Sequence, residues 1–251
     1  MTSALDRRKM LDRIRITIQE YGRHVYSVSG GHSPRFLYTI GLYGKAGVEL
    51  LFAGGAIYDE RALASLLNRA AVLIEDGDDP SQLHMQDDQL GPVRLVRADQ
   101  SWVSRLLLGA LDYYDIAELP VWQLVPEDTE SASFDIPNTT EPFSEPAHPA
   151  WRWLDEDCPY NLPPDSIAIT DLDLMLGYGA SEVMRWDSAE WEIYSGEKPT
   201  HEADTYRVPL APLLAFDAAL APAAELAVGR GLIRDYTADG SPGPWQPWGP
   251  K

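Results

Sequence analysis

The chain has a single cysteine in 251 residues, Cys158, which excludes an internal disulfide and with it any fold stapled by bridges. It has no apolar run near the ~20 residues that a membrane-spanning helix requires. Its charged, helix-patterned start lacks the hydrophobic region of a secretory leader. These absences set the expectation of a cytoplasmic protein with no membrane partner. Positive charge is scarce as well: 20 Lys and Arg stand against 39 Asp and Glu, for a net charge of -19 and a pI near 4.5. Such a chain repels a phosphate backbone, so the expectation is no nucleic acid, and a basic protein partner or a cation is drawn to it instead. Solubility alone is the other use of such a charge.

Catalytic signatures are missing too. There is no Gly-x-Ser-x-Gly elbow, no phosphate-binding P-loop, no His-Glu-x-x-His and no dinucleotide glycine fingerprint. His24 and His32 are separated by an expected turn and lack a third ligand at metal-binding spacing, so no metal site is expected. Cys158 lies between Asp157 and Pro159, an acidic setting unsuited to a nucleophile. Whether the chain is an enzyme stays open.

What is present centres on Ser33 to Leu42. Phe36, Tyr38 and Ile40 alternate with Leu37, Thr39 and Gly41, a two-residue period of β-branched and aromatic residues that predicts a strand covered on both faces. Tyr38 and Thr39 then point to opposite faces. Before this strand, residues 5 to 21 predict an amphipathic helix with Leu11, Ile14, Ile18 and Tyr21 inward, followed by a short strand from His24 to Ser29. Gly30-Gly31 reads as the hairpin connection; it offers backbone amides to an anion but lacks the glycine spacing of a phosphate loop. After it come a strand over Val48 to Ala53, a helix entered at Asp59-Glu60 and a strand pair over 83–86 and 92–97. One helix capped by Ser101 and a strand over Val121 to Val125 complete the set. Strands in adjacent runs between helices predict an α+β fold with a mixed or antiparallel sheet and flanking helices over residues 1–128.

Residues 129–164 are rich in Pro, Ser, Thr, Asp and Glu and read as a linker or wrapping segment, although Trp151, Trp153 and Tyr160 argue against disorder. Residues 165–251 predict a smaller α+β module. It has a strand or lead-in at Ser166 to Ile169, a short helix over Asp171 to Leu176, a strand over Glu190 to Gly196 and an apolar segment over Leu213 to Asp217. An aromatic tail runs over Pro244 to Trp248.

The block Phe36-Leu37-Tyr38-Thr39-Ile40-Gly41-Leu42 resembles the aromatic-x-Tyr-Thr-x-Gly-Leu block of the bacterial family called domain of unknown function 4262. Ala46-Gly47-Val48-Glu49-Leu50 stands where that family has His-Pro-Glu-Leu, without the histidine and proline. Gln123-Leu124-Val125-Pro126-Glu127-Asp128 stands where it has Gln-Leu-x-Trp-Pro-Asp, without the tryptophan. The resemblance covers about residues 20–130 and brings no activity with it. The C-terminal third, with Trp191 to Glu197, Leu210 to Asp217 and Gly229-Arg230-Gly231, resembles immunity-type modules of bacterial toxin systems, such as domain of unknown function 2185.

These readings favour a non-catalytic binding module, immunity-like in the sense of binding a basic partner through an acidic surface. The alternative is a small-ligand binder or enzyme using Arg23, His24, Tyr38, Thr39, Gly41 and Gln123 on neighbouring strands. A flavin as cofactor, in a split-barrel fold, stays open by analogy with the central strand. Oligomeric state is not fixed by the sequence.

Overall fold

The computed structural model describes residues 4–128, 132–196, 199–201, 204–237 and 239–249. Residues 129–131, at the head of the expected linker, and Glu197, in the C-terminal pattern, lie outside the described residues. Two six-stranded mixed sheets, each open, carry the fold, and neither closes into a barrel. The α+β expectation holds, while the split-barrel analogy behind the flavin reading finds no closed barrel here. No helix among the described residues is long and apolar enough to cross a membrane.

Chain order begins with α1 (Ala4–Tyr21), β1 (His24–Val28), β2 (Phe36–Ile40), α2 (Tyr43–Ala46), β3 (Glu49–Ala53) and α3 (Glu60–Glu75). It continues with β4 (His84–Asp87), β5 (Gly91–Arg97), α4 (Gln100–Leu106), α5 (Leu108–Tyr114) and β6 (Val121–Pro126). The first sheet is ordered β1-β2-β3-β6-β5-β4, with β3 and β6 parallel and every other pair antiparallel. All five residues of β2 and all five of β3 are buried, as strands covered on both faces should be. One face packs on α3 through Leu63, Leu66, Leu67, Ala70, Ala71 and Ile74. The other face, with Tyr38, Ile40 and Leu51, packs on Ile14 of α1, Trp102 and Leu106 of α4, Ala110 of α5 and Trp151.

Two details of the first unit depart from the sequence pattern. Tyr21 is 68% exposed, and Met10 rather than Tyr21 joins Ile14 and Ile18 against the sheet. The single helix expected from Ser101 onward is broken at Leu107 into α4 and α5, and its cap is Asp99, whose carboxylate accepts the Ser101 N–H at 2.9 Å. The head of α5 meets the sheet, where the Tyr38 hydroxyl accepts the Gly109 N–H at 3.2 Å. Gly109 comes so close to the Tyr38 hydroxyl that an added Cβ would lie 2.5 Å from it.

The second sheet is built from β7 (Ile167–Thr170), β8 (Glu182–Arg185), β9 (Glu190–Tyr194), β10 (Tyr206–Pro209), β11 (Arg230–Ile233) and β12 (Gln246–Trp248), ordered β10-β7-β9-β8-β11-β12. Helices α6 (Leu172–Met175), α7 (Leu210–Phe216) and α8 (Ala221–Ala224) cover its core around Trp191, whose indole N–H donates to the Ala223 carbonyl at 3.0 Å. Strands β8, β10 and β11 have no counterpart in the sequence pattern, and the aromatic tail pairs as the edge strand β12. The segment before β7 serves both cores. Trp151 packs in the first, while Phe134 touches both and the Trp153 indole donates to the Ala211 carbonyl at 3.1 Å.

Candidate functional site

Strand β3 is apolar except for its first residue, Glu49, which is fully buried. The β2–β3 ladder runs from Phe36 opposite Ala53 to Tyr38 opposite Leu51. Beyond that point the Leu50 N–H is taken by the Thr39 hydroxyl oxygen at 2.9 Å, and the hydroxyl in turn donates to Glu49 Oε2 at 2.5 Å. Glu49 Oε1 accepts the Gly41 N–H at 2.9 Å, the Tyr43 N–H at 3.0 Å and the Tyr114 hydroxyl at 2.5 Å. Four donors therefore converge on one carboxylate. Burial pushes the Glu49 carboxyl above its ordinary value, and the Thr39 and Tyr114 hydroxyls and the two amides pull it back part of the way. The Tyr114 phenol is raised by burial and by the neighbouring Glu49 charge.

A second buried carboxylate closes the other end of β3. Asp135 accepts the Ala56 N–H at 3.1 Å and the Ser133 hydroxyl, and its backbone carbonyl accepts the Trp151 indole N–H at 2.9 Å. Gly54 lies so near that an added Cβ would stand 2.1 Å from the Asp135 carbonyl oxygen. Arg35 donates to the Gly55 carbonyl at 2.9 Å and to the Tyr58 carbonyl at 2.7 Å from the same side of the turn. Burial raises the Asp135 carboxyl despite these donors.

Of the six candidate residues, the structure brings Thr39 and Gly41 together on Glu49. Tyr38 faces the opposite side of the sheet, stacked beside Tyr26 and Phe36 at 5.4 and 6.2 Å, and its hydroxyl accepts the Gly109 N–H at 3.2 Å. Arg23 is paired with Glu75 at 2.8 Å and reaches Asn68. His24 lines a groove of about 470 Å³ between α1 and β1, with Lys9, Met10, Arg13 and Tyr26; burial and the nearby Arg13 charge lower its pKa. Gln123 lies buried under Pro137, whose carbonyl its amide reaches at 3.4 Å. No described cavity is lined by more than one of the six.

Glu49, Tyr114 and Asp135 are the polar centres outside that candidate set. A lone carboxylate at the head of an apolar strand is the signal for Glu49, and Gly54-Gly55 signals a close backbone approach there. The segment around Asp135 carries no periodic pattern. Among the described residues, no group of three or more His, Cys, Asp or Glu side chains is placed to hold a metal ion.

What these features define is an α+β protein whose buried carboxylates fix the two ends of strand β3. Residues 17–132, which span the first sheet, match the family described as Domain of unknown function (DUF4262), the family whose blocks surround Tyr38, Glu49 and Gln123. No curated protein and no solved structure matches the chain.

Proposed function

We propose that this is a non-catalytic binding protein of the bacterial cytoplasm that captures a basic protein partner on its C-terminal unit. An immunity protein holding a basic toxin would act in this way. The observation that carries the reading is a hollow of about 370 Å³ between α6, α7 and the segment that follows β11, rimmed by Tyr178, Phe216 and Tyr236, which are 65%, 37% and 37% exposed. Aromatic rings gathered at a surface are typical anchors of protein interfaces. They stand on a unit, residues 165–251, with 14 acidic against 6 basic residues, so a cationic partner is the complementary one. The Arg234 guanidinium in the floor is no barrier. It is buried, donates to the Ala180 carbonyl at 2.6 Å, lies 3.6 Å from Asp217 and stacks on Trp245 at 4.2 Å.

The test is purification from the native host followed by hydrogen exchange on any complex recovered. The expected partner has a pI above about 9, protects the segments around Tyr178, Phe216 and Tyr236, and is released as salt rises past about 0.5 M. A chain recovered alone, an acidic partner, or protection confined to the first sheet overturns the reading.

A further inference from the structure

Between the two sheets lies a cavity of about 220 Å³, walled on one side by Gly30, Gly31, Arg35 and Glu60 and on the other by Asp165, Ser166 and Arg207. We infer that this junction binds a small zwitterion of the free amino-acid class. The space suits it: at roughly 30 Å³ per water it has room for about seven water-sized groups. The charges suit it as well. The wall offers two guanidinium groups, Arg35 and Arg207, and two carboxylates, Glu60 and Asp165, in balanced number.

A simple anion would be opposed by the protein's net charge of -19, and a simple cation would meet the two arginines. A molecule with one carboxylate and one ammonium escapes both penalties. Two of the lining residues also carry a buried polar atom with no partner in the protein, Arg35 Nε and the Ser166 hydroxyl, set behind the cavity surface rather than on it. Gly30 and Gly31 leave the lip open, because both hold left-handed dihedrals of +88° and +76° and neither has any atom within 4 Å of where a Cβ would stand. Arg35 is held by the Gly55 and Tyr58 carbonyls, so its guanidinium is positioned before any ligand arrives.

The residues differ from those of the aromatic hollow, so this inference stands or falls separately from the partner-binding reading. It is tested by calorimetric titration of the full chain with each free amino acid, with acetate and methylamine as single-charge controls. At least one amino acid is expected to bind with Kd of about 1 mM or tighter. Arg207→Gln and Glu60→Gln are expected to weaken it about tenfold each. Both side chains are peripheral to the fold: Arg207 makes an exposed pair with Glu190 at 3.2 Å, and the cap of α3 is Asp59. No binding by any amino acid, equal binding of acetate or methylamine, or an isotherm unchanged in both variants overturns the inference.

Discussion

The Thr39 hydroxyl stands 2.5 Å from Glu49 Oε2, although these two residues are not partners in the β2–β3 ladder. The carboxylate occupies the place where the strands part, and it gathers Gly41, Tyr43 and Tyr114 as further donors. Glu49→Ala strands all four and is expected to cost roughly 3 kcal/mol or more. Thr39→Val removes one donor and leaves the Leu50 N–H unpaired, for about 1–3 kcal/mol. Urea unfolding of both variants measures the difference, and equal losses would show that the carboxylate is not the centre of the network.

Acid and neutral pH should act on the fold with opposite signs at one buried carboxyl and two histidines. Burial raises the Glu49 carboxyl, so the folded state holds that proton more tightly; the stability it lends is complete below the ordinary value of 4.5 and declines as pH rises through the folded value. His24 and His148 are lowered by burial, with Arg13 adding to the effect at His24, so their contribution is present above 6.5 and lost as pH falls below it. Stability measured across this range in His24→Gln should fall less steeply below pH 6.5 than in the parent chain.

Gly54 and Gly30 separate contact from dihedral. Both have positive φ, +79° and +88°, but only Gly54 faces another backbone, with an added Cβ 2.1 Å from the Asp135 carbonyl oxygen. Gly54→Ala is expected to cost about 3 kcal/mol or more and Gly30→Ala about 1 kcal/mol. Thermal unfolding of the pair checks the ranking.

Trp151 is buried against Trp102 and Phe36, with ring centroids 5.8 and 6.2 Å away. A fragment ending at residue 128 loses that indole and the Asp135 clamp, and it uncovers Phe36 and Trp102 where Trp151 packs on them. It is expected to be aggregation-prone, whereas a fragment ending at residue 164 keeps both. Light scattering at matched concentration distinguishes them.

The legible parts of this fold are those whose burial is written in the local period. Strands β2 and β3 are apolar on both faces and α3 has one clean apolar stripe, so each reads directly from spacing. The strands without such a signal are made by distant neighbours. Gly231 sits inside β11 because an added Cβ would lie 2.6 Å from the Val183 carbonyl oxygen and 2.8 Å from Trp248, a constraint invisible until those strands meet. At the site, Thr39 and Gly41 were accessible through the central strand, while their shared partner Glu49 is visible only as a charge out of place, and Tyr114 is 65 residues from it.

Among the described strands, β6 is the only one that pairs with both pieces of the first sheet, the β1-β2-β3 meander and the β4-β5 hairpin. On the ribosome, both pieces emerge with one edge unpaired and must wait for Val121–Pro126 before they can join. Birth of this unit is thus a late weld rather than a gradual accretion, and until the weld is made the β3 edge is open to any other extended chain that arrives first.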